Sequence, residues 1–317
     1  MSAAAWPQIA ERGSLWGLRV TKFVYRLCGQ QLAALLVAGI ALYFFVTDRR
    51  GRDASRTYLR RLYEHPEGAR ALAHSPTILD SYRHYLQFGL AALDRLRFSL
   101  GDKAGIDLVV HGEDALARLV ERGEGGVLVG AHLGSFDALR ALAARAGVVV
   151  NIVMSTRHAA RIASVLTGVD DARVRVFDID FAGPQAVFEL RASVARGEFV
   201  ALLADRVMPG VHARPVRARF LGTVAPFPRG PFMLAATLQC PMILLIGIRR
   251  SRCLYEIHVE PLGAVEDSSR AGRQAWIAAT VAEYASRLER HCLDAPLQWF
   301  NFYDFWDERK TGRRVAA

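Results

Sequence analysis

Residues 127–137 read Val-Leu-Val-Gly-Ala-His-Leu-Gly-Ser-Phe-Asp. The apolar run 127–129 has strand character, and 138–146 repeats with a helical period, so a bend carrying His132, Gly134, Ser135 and Asp137 lies between them. On a continuous helix, residues five apart point about 140° away from each other. At a strand-to-helix bend they can converge, with the carboxylate of Asp137 holding the imidazole of His132 in the tautomer of a general base. A His followed five residues later by Asp is expected by chance about half a time in such a chain, so the spacing needs its context. The competing reading is a loop histidine and an aspartate that complements a helix dipole.

The context comes from the surrounding rhythm. Strand patterns at 106–110, 127–129, 148–154, 174–177, 199–204, 242–248 and 254–259 alternate with helical patterns at 113–121, 137–146, 158–166, 185–196, 231–239 and 270–293. That alternation predicts an α/β fold with a mostly parallel central sheet flanked by helices. Ligands of such sheets bind beyond the carboxyl ends of the strands, where His132 falls.

The N-terminal part reads differently. Residues 32–46 form fifteen positions without a charged side chain, short of the roughly 20 that a membrane span uses. Arg12, Arg19, Lys22 and Arg26 precede the block, and Arg49, Arg50, Arg52, Arg56, Arg60 and Arg61 follow it. The sequence therefore predicts an N-terminal membrane-associated helix in an anchor region 1–52. A helical region 53–104 and an α/β domain 105–317 follow. The heavier C-terminal basic flank places the main domain on the cytoplasmic face. No small-residue cleavage pattern follows the block, which argues against a cleaved signal peptide.

Composition narrows the partners. The chain of 317 residues carries 41 Lys and Arg against 31 Asp and Glu, a formal charge of +10, with a mean hydropathy of +0.14. Such a balance favours an anionic membrane surface or an acidic carrier protein. The arginines are dispersed and no nucleic-acid module is present, so nucleic acid is not an expected partner. Cys28, Cys240, Cys253 and Cys292 form no CxxC pair, which fits a reducing compartment and no structural zinc site. There is no Walker loop, no dinucleotide fingerprint and no G-x-S-x-G elbow, so no cofactor or metal is expected.

Further candidates follow other strand ends. The run 199–204 ends in Asp205-Arg206, where Asp205 could accept from an acceptor hydroxyl and Arg206 could grip a phosphate or carboxylate. Arg157, after the strand pattern 148–154, is a phosphate-contact candidate; the adjacent His158 reads as a surface residue. Phe220-Leu-Gly222 leads into Pro226-Phe-Pro-Arg229-Gly230-Pro231, read as a loop that delivers Arg229 to a helix N-terminus. The aromatic segment 298–306 reads as core closure.

In this order, the motifs resemble those of the bacterial late lipid A acyltransferase family, within the lysophospholipid acyltransferase superfamily. The resemblance runs over nearly the whole chain: the apolar N-terminal segment, His132-Leu-Gly-Ser-Phe-Asp137, Leu202-Leu-Ala-Asp205-Arg206, Phe220-Leu-Gly222 and the Pro226–Gly230 loop. It implies a bacterial inner-membrane enzyme that moves an acyl chain from acyl carrier protein to a hydroxyl or amine of a lipid or glycolipid. His132 would be the base and Asp137 its orienting acid. Gly134, Ser135, Arg157, Asp205, Arg206, Phe220, Gly222, Arg229 and Gly230 would bind substrate, with backbone N–H groups near Gly134 and Ser135 facing the oxyanion. The aromatic-acidic segment Trp-Phe-Asn-Phe-Tyr-Asp-Phe-Trp departs from the family's basic pattern, which leaves the acceptor open. A thioesterase-like hydrolase and an inert lipid-binding protein are the alternatives.

Overall fold

The computed structural model describes residues 15–101, 106–154, 173–178, 184–207 and 214–306. Helices α1 (Leu15–Thr47), α2 (Arg49–Glu64), α3 (Gly68–Ala71) and α4 (Ile78–Ser99) come first. Then follow β1 (Asp107–His111), α5 (Glu113–Glu121), β2 (Gly126–Gly130), α6 (Phe136–Ala146), β3 (Val150–Met154) and β4 (Val174–Asp178). The remainder is α7 (Pro184–Ala195), β5 (Phe199–Leu203), β6 (Val216–Phe220), β7 (Thr223–Phe227), α8 (Gly230–Leu238), β8 (Met242–Arg249), β9 (Leu254–Gly263) and α9 (Arg270–Asp294).

Seven strands form one sheet in the order β1-β9-β8-β2-β5-β3-β4. Every neighbouring pair is parallel except β8 with β9, so the predicted mostly parallel α/β architecture is the one observed. Central strand β2 is buried at all five positions, as expected where helices cover both faces of a parallel sheet. The apolar side chains of β2, β5 and β8 divide between two packed cores. One contains Val127, Val129, Val200, Leu244 and the α9 residues Tyr284 and Leu288. The other contains Leu128, Phe199, Ile243 and Leu142 of α6.

The N-terminal helices attach to this body in different ways. Tyr58, Leu59 and Leu62 of α2 are buried within the larger core. Helix α1 lies along α4 instead, burying Ala33, Val37, Ala41 and Phe45, a stripe spaced by four residues. Its opposite side exposes Phe23, Leu27, Leu32, Leu35, Leu42, Tyr43 and Val46. Gly29, with φ 77° and ψ −178°, breaks the helix, leaving residues 30–47 as a rod about 27 Å long. The segment Arg19–Thr47 is long and apolar enough to cross a membrane. One of its faces, however, is already occupied by α4.

The stretch read as a Pro/Gly loop is corrected by the structure. Strands β6 and β7 form an antiparallel hairpin in which Phe220 pairs with Thr223. Leu221 and Gly222 make the two-residue turn, both with positive φ (47° and 77°), the backbone that matches the twist of a tight hairpin. Pro226 masked this strand in the sequence; a ribbon of two strands has outer edges where a missing N–H is tolerated. Alternation is nonetheless present, with Ala218, Phe220, Ala225 and Phe227 all buried. Phe220 is fully buried against Phe227, Trp299 and Phe305, at centroid distances of 5.7, 5.1 and 5.6 Å. Phe220→Ala is therefore expected to lower unfolding stability by about 3–5 kcal/mol in urea titrations; a loss below about 1 kcal/mol would contradict its place in the core.

Candidate active site

The site begins with strand register. Adjacent parallel strands β2 and β5 pair Gly130 with Leu203, and the ladder continues as Ala204 N–H donates to Gly130 C=O at 3.0 Å. Two residues past that pair, both chains carry a polar side chain at the same sheet edge: His132 after β2, Asp205 after β5. His132 Nδ1 lies 2.7 Å from Asp205 Oδ1, and the His132 backbone N–H donates to Asp205 Oδ2 at 2.8 Å. An ionised carboxylate can only accept, so Nδ1 carries the proton and the lone pair falls on Nε2. Among the described residues, Nε2 has no hydrogen-bond partner, and about a quarter of the imidazole is exposed. A neutral imidazole with a bare, accessible Nε2 and a carboxylate behind Nδ1 is the arrangement of a general base.

This corrects the expected dyad, because the carboxylate behind His132 is Asp205. Asp137, in the first turn of α6, is buried and faces Arg95 Nε of α4 at 3.4 Å and Arg140 Nη1 at 3.7 Å. Its position suits the helix N-terminus, and its charge ties α6 to α4. The reading of Asp205 as a group for an acceptor hydroxyl is corrected too. Asp205 is fully buried, and Oδ2 also receives Trp299 Nε1 at 2.9 Å and Asn301 Nδ2 at 3.2 Å. With four donors around it, this carboxylate positions other groups and has no face open to substrate.

Trp299 and Asn301 are site residues that the core-closure reading of the aromatic segment does not reveal. The segment both closes the core and frames the site. Gly134 N–H donates to Gln298 C=O at 2.9 Å and Phe300 N–H to His132 C=O at 2.7 Å, so it runs antiparallel to the His132 loop. Arg206 donates through Nε to Asn301 Oδ1 at 2.6 Å and through Nη2 to Phe300 C=O at 2.8 Å. Behind the segment, His84 of α4 is buried, with Nε2 2.8 Å from Trp299 C=O and Nδ1 3.0 Å from Ser55 Oγ. Burial pushes the His84 imidazole down to about 4, so it is neutral at physiological pH and serves as a strut.

Gly134 and Ser135 shape the loop. Gly134 has φ 70°, and a Cβ there would sit 1.9 Å from the Gly247 carbonyl oxygen of β8; only glycine lets the backbone lie this close. Ser135 N–H donates to that same oxygen at 2.6 Å, while Ser135 Oγ caps α6 by accepting from Ala138 N–H. Both N–H groups expected to face an oxyanion are thus already bonded to carbonyls, which corrects that assignment. Other expected positions stand further out. Gly222 is in the hairpin turn, Gly230 opens α8, and the Arg229 guanidinium is held by Gln274 of α9. None of the three has a hydrogen bond or ring contact with the His132 cluster among the described residues. Arg157 and the 158–166 helix lie outside the described residues.

Electrostatics match the geometry. Burial and the Arg206 guanidinium hold the His132 imidazole below the ordinary histidine range, against the upward pull of Asp205; Arg95 adds to the lowering. For Asp205, burial alone would raise the carboxyl, but His132 and Arg206 hold it below the usual carboxylate range. In an NMR titration the His132 imidazole is therefore expected to titrate below about 6.5. It should titrate lower again in Asp205→Asn, and move less in Asp137→Asn. A value above the ordinary range, or one that rises in Asp205→Asn, would contradict this account.

No protein-family profile matches the chain, and no curated protein matches it by sequence. Among solved structures, the chain is similar to the 1-acyl-sn-glycerophosphate (LPA) acyltransferase PlsC from Thermotoga maritima. That likeness has a TM-score of 0.36 and 14% sequence identity, over 81% of this chain and 97% of that one.

Proposed function

We propose that this chain is a membrane-associated acyltransferase that moves a fatty acyl group from a thioester donor to a hydroxyl or amine of a lipid acceptor. The observation that carries the reading is the bare Nε2 of His132, backed by the buried Asp205 carboxylate. Nε2 takes the acceptor proton as the acceptor oxygen or nitrogen attacks the thioester carbonyl carbon. The C–S bond then breaks, and the leaving thiolate receives the proton from Nε2. Asp205 stabilises the imidazolium between these steps without taking its proton. The charge that develops on the carbonyl oxygen lies in the positive field of Arg95 and Arg206, the two cations acting on His132.

A lipid acceptor, in preference to water, is supported by the surface around the base. Phe88 of α4 is half exposed and rests edge-on against Phe300, at 5.4 Å between centroids. The Phe300 N–H bonds the His132 carbonyl. The exposed Phe88 ring thus places apolar surface on α4 one buried residue, Phe300, away from the histidine loop. Because α4 occupies the other face of α1, we read α1 as lying in one leaflet. Arg49, Arg50, Arg56 and Arg60, all exposed after it, suit anionic headgroups. The same positive charge suits acyl carrier protein as donor and a cytoplasmic face of the bacterial inner membrane as location. Asp137 keeps a supporting role through Arg95.

Acyl transfer is tested with purified protein, radiolabelled acyl carrier protein thioester and total membrane lipid. His132→Ala is expected to lower turnover by about 10²–10⁴-fold, with Asp205→Asn in the same range and a smaller loss in Asp137→Asn. The acid limb of kcat/KM should fall below the ordinary histidine value, since the base must be neutral. Near-wild-type turnover in His132→Ala would remove the base assignment, and label released only as free acid would favour a hydrolase. For the membrane arm, Leu35→Ser, Leu42→Ser and Val46→Ser combined should weaken sedimentation with anionic vesicles. Unchanged recovery would contradict insertion of this face.

A further inference from the structure

Strand β9 carries a second group of polar side chains away from the His132 cluster. Its alternation sends Tyr255, Ile257 and Val259 into the core, so Glu256, His258 and Glu260 share the other face. Strand β1 lies parallel beside it, in a register that pairs His111 with His258. The two imidazoles stack with centroids 4.8 Å apart and planes 19° from parallel. On the other flank, the ring of His291 from α9 sits 4.7 Å from that of His258.

The two glutamates differ in what they have left to offer. Glu260 is committed: Oε1 lies 2.8 Å from His291 Nε2, and Oε2 faces Arg287 and Arg290 at 3.4 and 3.2 Å. Glu256 meets Arg250 through Oε2 alone, at 2.8 Å from Nε and 2.7 Å from Nη2, and Oε1 has no partner among the described residues. Arg250 is itself shared with Asp294 at 2.5 Å, which reduces its opposition to a further cation. His258 Nε2, 4.0 Å from Glu256 Oε2, is sealed from solvent and has no hydrogen-bond partner. A polar atom buried without a partner calls for an explanation.

The ligand atoms of His111, Glu256 and His258 lie within 4.8 Å of one another. Tetrahedral ligands at the usual zinc distances stand about 3.3 Å apart; because imidazole lone pairs lie in the ring plane, binding requires the exposed His111 ring to turn out of its stack on His258. Two imidazoles and one carboxylate, with a water in the fourth position, suit a borderline divalent transition ion. We propose that His111, Glu256 and His258 bind one divalent transition-metal ion of the zinc class, which clamps edge strand β1 onto β9.

The test uses the full, untagged chain, stripped with EDTA and titrated with ZnCl2 by calorimetry, with thermal melting in parallel. One saturable equivalent is expected, with a rise in Tm. Affinity should fall at least about tenfold in His258→Ala, Glu256→Gln and His111→Ala, and be unchanged in His291→Ala. No saturable binding would overturn the site. So would binding that survives His111→Ala but is lost in His291→Ala, because the ion would then belong to His258, Glu260 and His291. Should His258→Ala fail to fold, His111→Ala at the exposed position carries the test through Co2+ absorption. The visible bands of the wild-type complex should vanish in that variant, and their persistence would overturn the proposal.

Discussion

Hydrogen bonding between β2 and β5 sets Gly130 opposite Leu203, and the chemistry of the site depends on that register. From it, His132 and Asp205 leave the sheet side by side without any loop having to search for the contact. A slip of one residue in either strand would turn that strand's side chains to the opposite faces, against two packed cores that contain Val127, Leu128, Val129, Phe199 and Val200. The apolar packing of the sheet therefore specifies the polar pair at its edge. Burying Asp205 would be unfavourable alone. Its neighbours His132, Trp299 and Asn301 supply the donors that make it tolerable.

The same carboxylate links the site to the outer shell. Trp299 and Asn301 come from the segment after α9, and His84 of α4 holds the Trp299 carbonyl. Ser55 of α2 holds His84 in turn. Helix α4 carries α1, so the face that exposes Leu35, Leu42 and Val46 is fixed relative to the histidine by a continuous run of packed and bonded groups. In the proposed function, that coupling lets a protein lying on a bilayer present Nε2 to a lipid headgroup at a set depth.

Much of this was legible in the sequence, and the rest failed for identifiable reasons. Helical and strand periods gave the α/β order, because β2, β5 and β8 are continuous apolar runs bounded by turns. His132 was legible as the residue at the end of a central strand. Its partner was misassigned because Asp137 is near in sequence whereas Asp205 is near only through sheet register, which a single chain does not display. Asp205 carries the same strand-end position as His132, and that shared position is the sequence signal for the right pair. The hairpin β6–β7 was hidden by Pro226, although its alternation was present. Trp299 and Asn301 were hidden by the bulk of their neighbours, since a Trp or Asn that donates to a buried carboxylate looks the same in sequence as one that fills space.

Asp205 fixes the protonation pattern of His132. Long-range 15N–1H correlation spectra of protein labelled in its imidazole nitrogens measure that pattern directly. The account predicts a neutral His132 with its proton on Nδ1 and a bare Nε2, and loss of that preference in Asp205→Asn. A wild-type His132 carrying its proton on Nε2, or a tautomer indifferent to Asp205→Asn, would contradict it.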